Sequence, residues 1–324
     1  MRRLFVLAIA VAVAGCAARK PAAPAPSPRA GAPVAGPHSP YAITLGPDRN
    51  IWFTEYQGSN IGRMTVAGEF KRFPVAPDGF AERITSGPDG ALWFTDPKSN
   101  RIGRITVDGA VKYVKLPTPD CGPTGIATGH DGFIYFAEHA ADRIGRLRPD
   151  GVLTEFTLPK GSGPAEVVAG YHAVYFAEDK SNRIGRISKD GAITDFAIPS
   201  PHSIPAAMTV GPDGSIYFTE LHPSQIGKMT LNGAMSEYKI PAGQPLGLAA
   251  GSDGNIWATA PRVHLIYRMT SGGNFVVYQG TNSTLPGFLT NGPDGNLYFS
   301  EPNGKIGRIS VDGLIAEFDV REKK

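Results

Sequence analysis

Six carboxylates recur at one place in a repeating pattern, each closing a run of β-branched and aromatic residues. They are Glu55 in "IWFTE", Asp96 in "LWFTD", Glu138 in "IYFAE", Glu178 in "VYFAE", Glu220 in "IYFTE" and Glu301 in "LYFSE". Carboxylates held in a cleft can ligate a divalent cation or pass a proton to and from a substrate. A seventh copy, "IWATA", carries Ala260 there instead. A base recurs as well, at Arg63, Arg104, Arg146, Arg186, Lys228, Arg268 and Arg308. A carboxylate in almost every copy with a base in every copy reads as repeated ion pairs, or as hydrogen bonds to turns.

Two of these acids have a histidine close behind, giving Glu138, His139, Glu220 and His222 as candidate metal ligands, although neither "EH" nor "ELH" is an established zinc spacing. Cys121, in "TPDCGPTG", has no histidine near it in sequence and reads as an inert, half-buried thiol. Tyr41, Glu82, Arg83 and Glu166 sit near the start of their copies, where a phenol, an arginine and two carboxylates could bind a polar ligand.

Positioning these groups is the task of the repeat. Aligning the glycine of "IGR" gives Gly62, Gly103, Gly145, Gly185, Gly227, the degenerate Tyr267, and Gly307, at intervals of 41, 42, 40, 42, 40 and 40 residues. So regular a period marks a repeat architecture. Within the first copy, short apolar runs alternate with turn residues: "YAITL", "GPDRN", "IWFTE", a polar loop, "NIGRMT", "VAG" and "EFKRFPV". That is four antiparallel strands per copy, the first pair and the second pair joined by tight turns at one end. The remaining loops and the crossovers between copies gather at the other end. One such unit cannot bury both faces alone, so neighbours must stack, and seven four-stranded units stack radially as a seven-bladed β-propeller. The last copy runs through its own fourth strand, "LIAEFDV", so the ring is expected to close without a strand lent from the N-terminus. The repeated "NRIGRITVDG" is then third strand plus turn, its glycine expected to admit an aromatic side chain of the neighbouring blade.

The unit "GPDGxLWFTE…NRIGRIT…TEFxLP" resembles the streptogramin B lyase family, the virginiamycin B lyase-like seven-bladed propellers, from Pro40 to Val320. The resemblance implies magnesium-assisted elimination across the ester of a cyclic depsipeptide antibiotic. It also implies a histidine directly after the proline that opens the first strand in two adjacent blades, a glutamate two residues before one of them, and a glutamate ending a second strand. In this chain the histidine slots hold Tyr41, Glu82, Thr124, Ala165, Ala206, Leu246 and Gly287. The slots two residues earlier hold Ser39, Phe80, Gly122, Gly163, Ile204, Gln244 and Leu285, none of them acidic. The fold carries over; the lyase chemistry lacks its expected base.

The first residues read as an export signal: "MRR", then "LFVLAIAVAVA", then "VAGC" ending at Cys16. The motif resembles the bacterial lipoprotein box, in which the cysteine is acylated, and Ala17 after it points to the outer membrane, facing the periplasm or the cell surface. An ordinary signal peptide cleaved at an "A-x-A" site is the alternative. Residues 17–39 are rich in Pro and Ala and read as an extended tether, and 40–324 as the propeller. The chain has 32 basic and 29 acidic residues with no basic run beyond the N-terminus, which argues against nucleic acid. A monomer is expected, touching the membrane through its lipid.

Two function classes follow. One is a tethered propeller that binds a small molecule or peptide at its channel mouth through Tyr41, Glu82, Arg83 and Glu166; the other is an enzyme, either the magnesium-assisted lyase or a lactonase-type propeller. Pairing of Glu82 and Arg83 with neighbours at a solvated rim would make those residues scaffold instead.

Overall fold

The computed structural model describes residues 39–56, 58–75, 79–281 and 284–321. The expected signal, Cys16 and the tether before Ser39 lie outside them. Seven four-stranded antiparallel sheets, each made of four consecutive strands, span 39–74, 84–115, 123–157, 164–197, 205–239, 248–279 and 289–319. These are blades 1 to 7. The first strand of each blade touches the first strands of the blades before and after it, so seven innermost strands enclose a central channel. The chain is a seven-bladed β-propeller, with one short 3₁₀ turn among the described residues, at Pro261–Val263.

The sequence builds six of the seven blades with one repeated device, blade 4 having no aspartate in its turn. An aromatic residue in the second strand is buried between blades, and its polar tip reaches an aspartate in the preceding turn. Trp52 Nε1 donates to Asp48 at 2.9 Å, Tyr135 OH to Asp131 at 2.8 Å, Trp257 Nε1 to Asp253 at 3.0 Å and Tyr298 OH to Asp294 at 3.0 Å. The polar end of a large apolar ring is thereby satisfied while the ring fills the core. The third-strand bases serve the same turn. Arg63, Arg104, Lys228, Arg268 and Arg308 pair with Asp48, Asp89, Asp213, Asp253 and Asp294, not with the acids that close the second strands. The expected ion pairs therefore exist with other partners. Register is the reason: the antiparallel ladder sets Arg63 opposite Trp52, at the turn end, three residues from Glu55.

The repeated glycine also has a different neighbour from the one expected. Gly62 faces Phe53 of its own second strand, and a Cβ built on it would lie 2.2 Å from the Phe53 ring. Gly103 and Phe94, Gly145 and Phe136, Gly185 and Phe176, Gly227 and Phe218, and Gly307 and Phe299 repeat the arrangement. The phenylalanine lies flat across its own blade.

Closure follows the expectation. Blade 7 is completed by its own strand, and the seam to blade 1 is made of side chains. Ile43, Phe53 and Met64 pack with Tyr298, Ile306 and Val320, Ser39 Oγ donates to Pro302 O at 2.6 Å, and Arg72 Nη2 to Val320 O at 3.0 Å.

Candidate functional site at the crossover mouth

The mouth at the crossover end is shaped by irregularities at the start of the innermost strands, where register shifts between Pro40 and Ile43, between Pro164 and Glu166, and between Pro205 and Met208. A hydroxyl of the second strand holds several of these starts. Ala42 N donates to Thr54 Oγ1 at 3.1 Å, Arg83 N to Thr95 Oγ1 at 3.1 Å, and Gly247 N to Thr259 Oγ1 at 2.8 Å. Thr54 and Thr259 donate onward to Glu82 O and Gly287 O of the next blade, at 2.9 and 2.6 Å. Where blades 3 and 4 carry Ala137 and Ala177 instead, Thr124 Oγ1 donates to Ala165 O at 2.9 Å. The backbone around the mouth is thus fixed from blade to blade.

Into this frame projects Arg83, only 5% exposed. Its Nη2 lies 3.0 Å from Glu166 Oε2, two blades away. Its guanidinium carbon lies 3.9 Å from the Phe288 ring centroid on the other side and 5.3 Å from that of Tyr41. Burial alone would lower the Arg83 pKa; Glu166, followed by Tyr41 and Glu82, raises it, so the guanidinium stays charged. All four residues expected at the mouth are brought together, but around a buried cation and not at a solvated rim. Around them lies an aromatic cluster that the repeat pattern did not single out. Tyr41 packs on Tyr56 and Phe288 at 5.3 and 5.1 Å between centroids, and Tyr56 on Phe80 at 6.0 Å. Arg83 Nε is buried with no hydrogen-bond partner.

The second-strand acids are fully or almost fully buried. In blades 1 and 2 they meet bases: Glu55 accepts from Arg72 Nε at 2.6 Å and Asp96 from Arg101 Nε at 2.8 Å. In blades 3, 4, 5 and 7 the neighbour is a second carboxyl from the middle of the fourth strand, at Glu155, Asp195, Glu237 and Glu317. Burial first, then the neighbouring carboxylate, pushes Glu138, Glu178, Glu220 and Glu301 up to about 7. Both oxygens of Glu138 lack a partner. The acid opposite the "IGR" glycine in "LTEFT", "ITDFA", "MSEYK" and "IAEFD" was the available signal.

The four candidate metal ligands do not converge. Glu138 and Glu220 are buried in blades 3 and 5, His139 Nε2 lies 3.1 Å from Asp179 of the next blade, and His222 is exposed. No cluster of three or more His, Cys, Asp or Glu able to hold an ion occurs among the described residues. At the mouth, a guanidinium already compensates Glu166 and Glu82, so the donor set does not suit magnesium. Cys121 is wholly buried, not half-buried; its Sγ lies 3.1 Å from Asn100 Oδ1, and burial followed by Glu138 pushes its pKa far up, consistent with an inert thiol.

The virginiamycin B lyase family model matches residues 31–244 and 211–324. The chain belongs to the virginiamycin B lyase family. Among solved structures, a streptogramin B lyase is 35% identical over 84% of this chain and 93% of its own, with a TM-score of 0.80. Virginiamycin B lyase from Staphylococcus aureus is 35% identical over 84% and 94%, with a TM-score of 0.79. A catalytically inactive histidine-to-alanine variant of the Staphylococcus aureus enzyme, solved with quinupristin, is 34% identical over 83% and 94%, at 0.78. No curated protein matches the chain. Within this virginiamycin B lyase family member the histidine slots lie at or just before the innermost strands, and Ala165, Ala206 and Gly287 among them are buried without an ionisable group.

Proposed function

We propose that this chain is an exported, lipid-anchored member of the virginiamycin B lyase family that captures a small molecule or peptide at its crossover mouth and does not open a streptogramin B ring. The observation that carries the reading is Arg83: held by Glu166 and backed by Phe288 and Tyr41, it keeps a buried Nε–H without an acceptor. A carboxylate or carbonyl oxygen of a ligand would supply that acceptor through a charge-assisted hydrogen bond. The ligand's apolar part would lie against Tyr41, Tyr56 and Phe80. Elimination needs a base beside the acidic carbon, and no histidine occupies any of the seven slots. That a histidine-to-alanine variant of the Staphylococcus aureus enzyme is catalytically inactive supports the same reading.

The test has two arms. Incubation of the full chain with quinupristin and magnesium, followed by mass spectrometry, should give no linear product; ring opening at enzyme-like rates would sink the non-lyase half. Calorimetric titration with quinupristin and with acylated dipeptides should find binding that Tyr41→Phe and Glu82→Gln each weaken by about 1–3 kcal/mol, the cost of an unmatched buried polar group. Unchanged affinity in both variants would return the mouth to scaffold.

A further inference from the structure

The other mouth of the channel, at the turn end, is not uniform around its ring. The innermost strands end at Leu45, Ser86, Thr128, Ala169, Val210, Ala250 and Asn291. Where this residue carries a donor, it bonds to the carbonyl of its counterpart in the preceding blade. Ser86 Oγ donates to Leu45 O at 2.5 Å, Thr128 Oγ1 to Ser86 O at 2.5 Å, and Asn291 Nδ2 to Ala250 O at 2.7 Å. Leu45, Ala169, Val210 and Ala250 have no side-chain donor, so the equivalent carbonyls of Asn291, Thr128, Ala169 and Val210 keep a lone pair that the neighbouring blade does not claim, and the last three lie side by side in consecutive blades.

A cavity of about 370 Å³ opens over this arc, floored by Ala169, Val210 and Ala250 with Asn291 at its edge. Its rim departs from the repeat in the same place. The residue after the turn-opening glycine is Pro47, Pro88, Pro212 and Pro293 in four blades, but His130 and Tyr171 in blades 3 and 4. Those two rings stack, 6.1 Å apart and 2° from parallel, and Tyr171 is 60% exposed. So large a ring, packed on His130 yet still mostly exposed, stands where four blades hold a proline. An apolar floor, a row of carbonyl acceptors and a flat aromatic wall are the ingredients of a small-molecule site.

We propose that this turn-end mouth is a second binding site, for a planar aromatic amine or nitrogen heterocycle. Its ring stacks on Tyr171 and covers Val210, while its N–H groups donate to the carbonyls of Thr128, Ala169 and Val210. The site lies at the opposite end of the channel from Arg83 and stands independently of that mouth's role.

The probe is 2-aminobenzimidazole, a planar bicycle with N–H donors, titrated calorimetrically into the full chain beside indene, a ring of the same shape without donors. Binding of 2-aminobenzimidazole is expected below millimolar concentration, with indene weaker by about tenfold, the loss that follows from one unmatched hydrogen bond. Tyr171→Ala removes the wall and Ala169→Thr claims the Thr128 carbonyl as Thr128 itself claims that of Ser86; each should weaken binding by about tenfold. Tyr171→Phe should restore it. No binding of 2-aminobenzimidazole, equal affinity for indene, or unchanged affinity in Tyr171→Ala overturns the proposal.

Discussion

Tyr267 stands opposite Ala258 on adjacent strands of blade 6, an exchange of sizes across the pair that six other blades build from glycine and phenylalanine. The large ring has moved from the second strand to the third, and its hydroxyl donates to Ala242 O at 2.6 Å. In the same blade the closing carboxylate has become Ala260, so the phenol ties down the crossover as Glu301 does by accepting from Leu285 N at 3.0 Å. Tyr267→Gly alone should cost about 3–5 kcal/mol, as large-to-small core changes do. Ala258→Phe alone should also destabilise, by overpacking. The double variant should recover part of both losses, with a coupling of about 1–3 kcal/mol in denaturant melts. Additive losses would show that the two positions do not share one space.

The Arg83 and Glu166 pair predicts an asymmetric response. Glu166→Gln leaves a buried guanidinium without its counter-charge and should cost about 3–5 kcal/mol. Adding Arg83→Met to it places an apolar chain between Phe288 and Tyr41 and should restore much of that stability. Chemical denaturation of the two variants checks the order; a double variant less stable than Glu166→Gln would contradict it.

Four buried carboxyl groups near 7 give the fold an unusual pH response. Glu138, Glu178, Glu220 and Glu301 hold protons in the folded state that the unfolded chain releases above the ordinary value of 4.5. The native state binds more protons in that window, so stability falls as pH rises from about 4.5 through 7. Burial would raise Asp48, Asp89, Asp213, Asp253 and Asp294, but hydrogen bonds outweigh it, first from Asn50, Asn255 and Asn296 for Asp48, Asp253 and Asp294 and from Arg104 and Lys228 for Asp89 and Asp213, so all five lie below 3.8 and their contribution is lost only in stronger acid. The melting temperature should therefore be higher at pH 5.5 than at pH 8.5, by about 5 °C or more if the four groups act independently. Glu138→Gln should raise it at pH 8.5 and flatten the curve. A scan that rises monotonically toward pH 8.5 would refute the assignment.

The anchor is tested by fractionation. If Cys16 is acylated, Cys16→Ala should leave the chain in the soluble extracytoplasmic fraction while the unaltered chain partitions into detergent with membranes. Identical fractionation of the two would remove the lipid from the account.

Period and register explain how much of this was legible in the sequence. A 40-residue repeat with turn signals at fixed offsets fixes blade number and strand order, because each unit must bury both faces against its neighbours. Tyr41 and Glu82 share one place in the aligned copies, and Arg83 and Glu166 the next, which is how the sequence puts all four at the start of innermost strands. What they meet was not legible: Phe288 reaches Arg83 across the opening, from a blade far away in the chain. The partners of Arg63 and Gly62 were misjudged for a related reason. Cross-strand neighbours depend on which residue faces which, and a shift of three positions separates Arg63 facing Glu55 from Arg63 facing Trp52.

The seam between blades 7 and 1 has a mechanical consequence. A ring locked by a strand shared between its first and last blades must break a ladder of backbone hydrogen bonds, all loaded at once, before it can part. Here a pull entering at Ser39 is borne by the Ser39 hydroxyl, by Arg49 and Arg72, and by a patch of interdigitated side chains, which yield in succession. The joint is a clasp and not a weld. Under tension the circle should spring open there first, each blade keeping its own hydrogen bonds while its neighbour peels away.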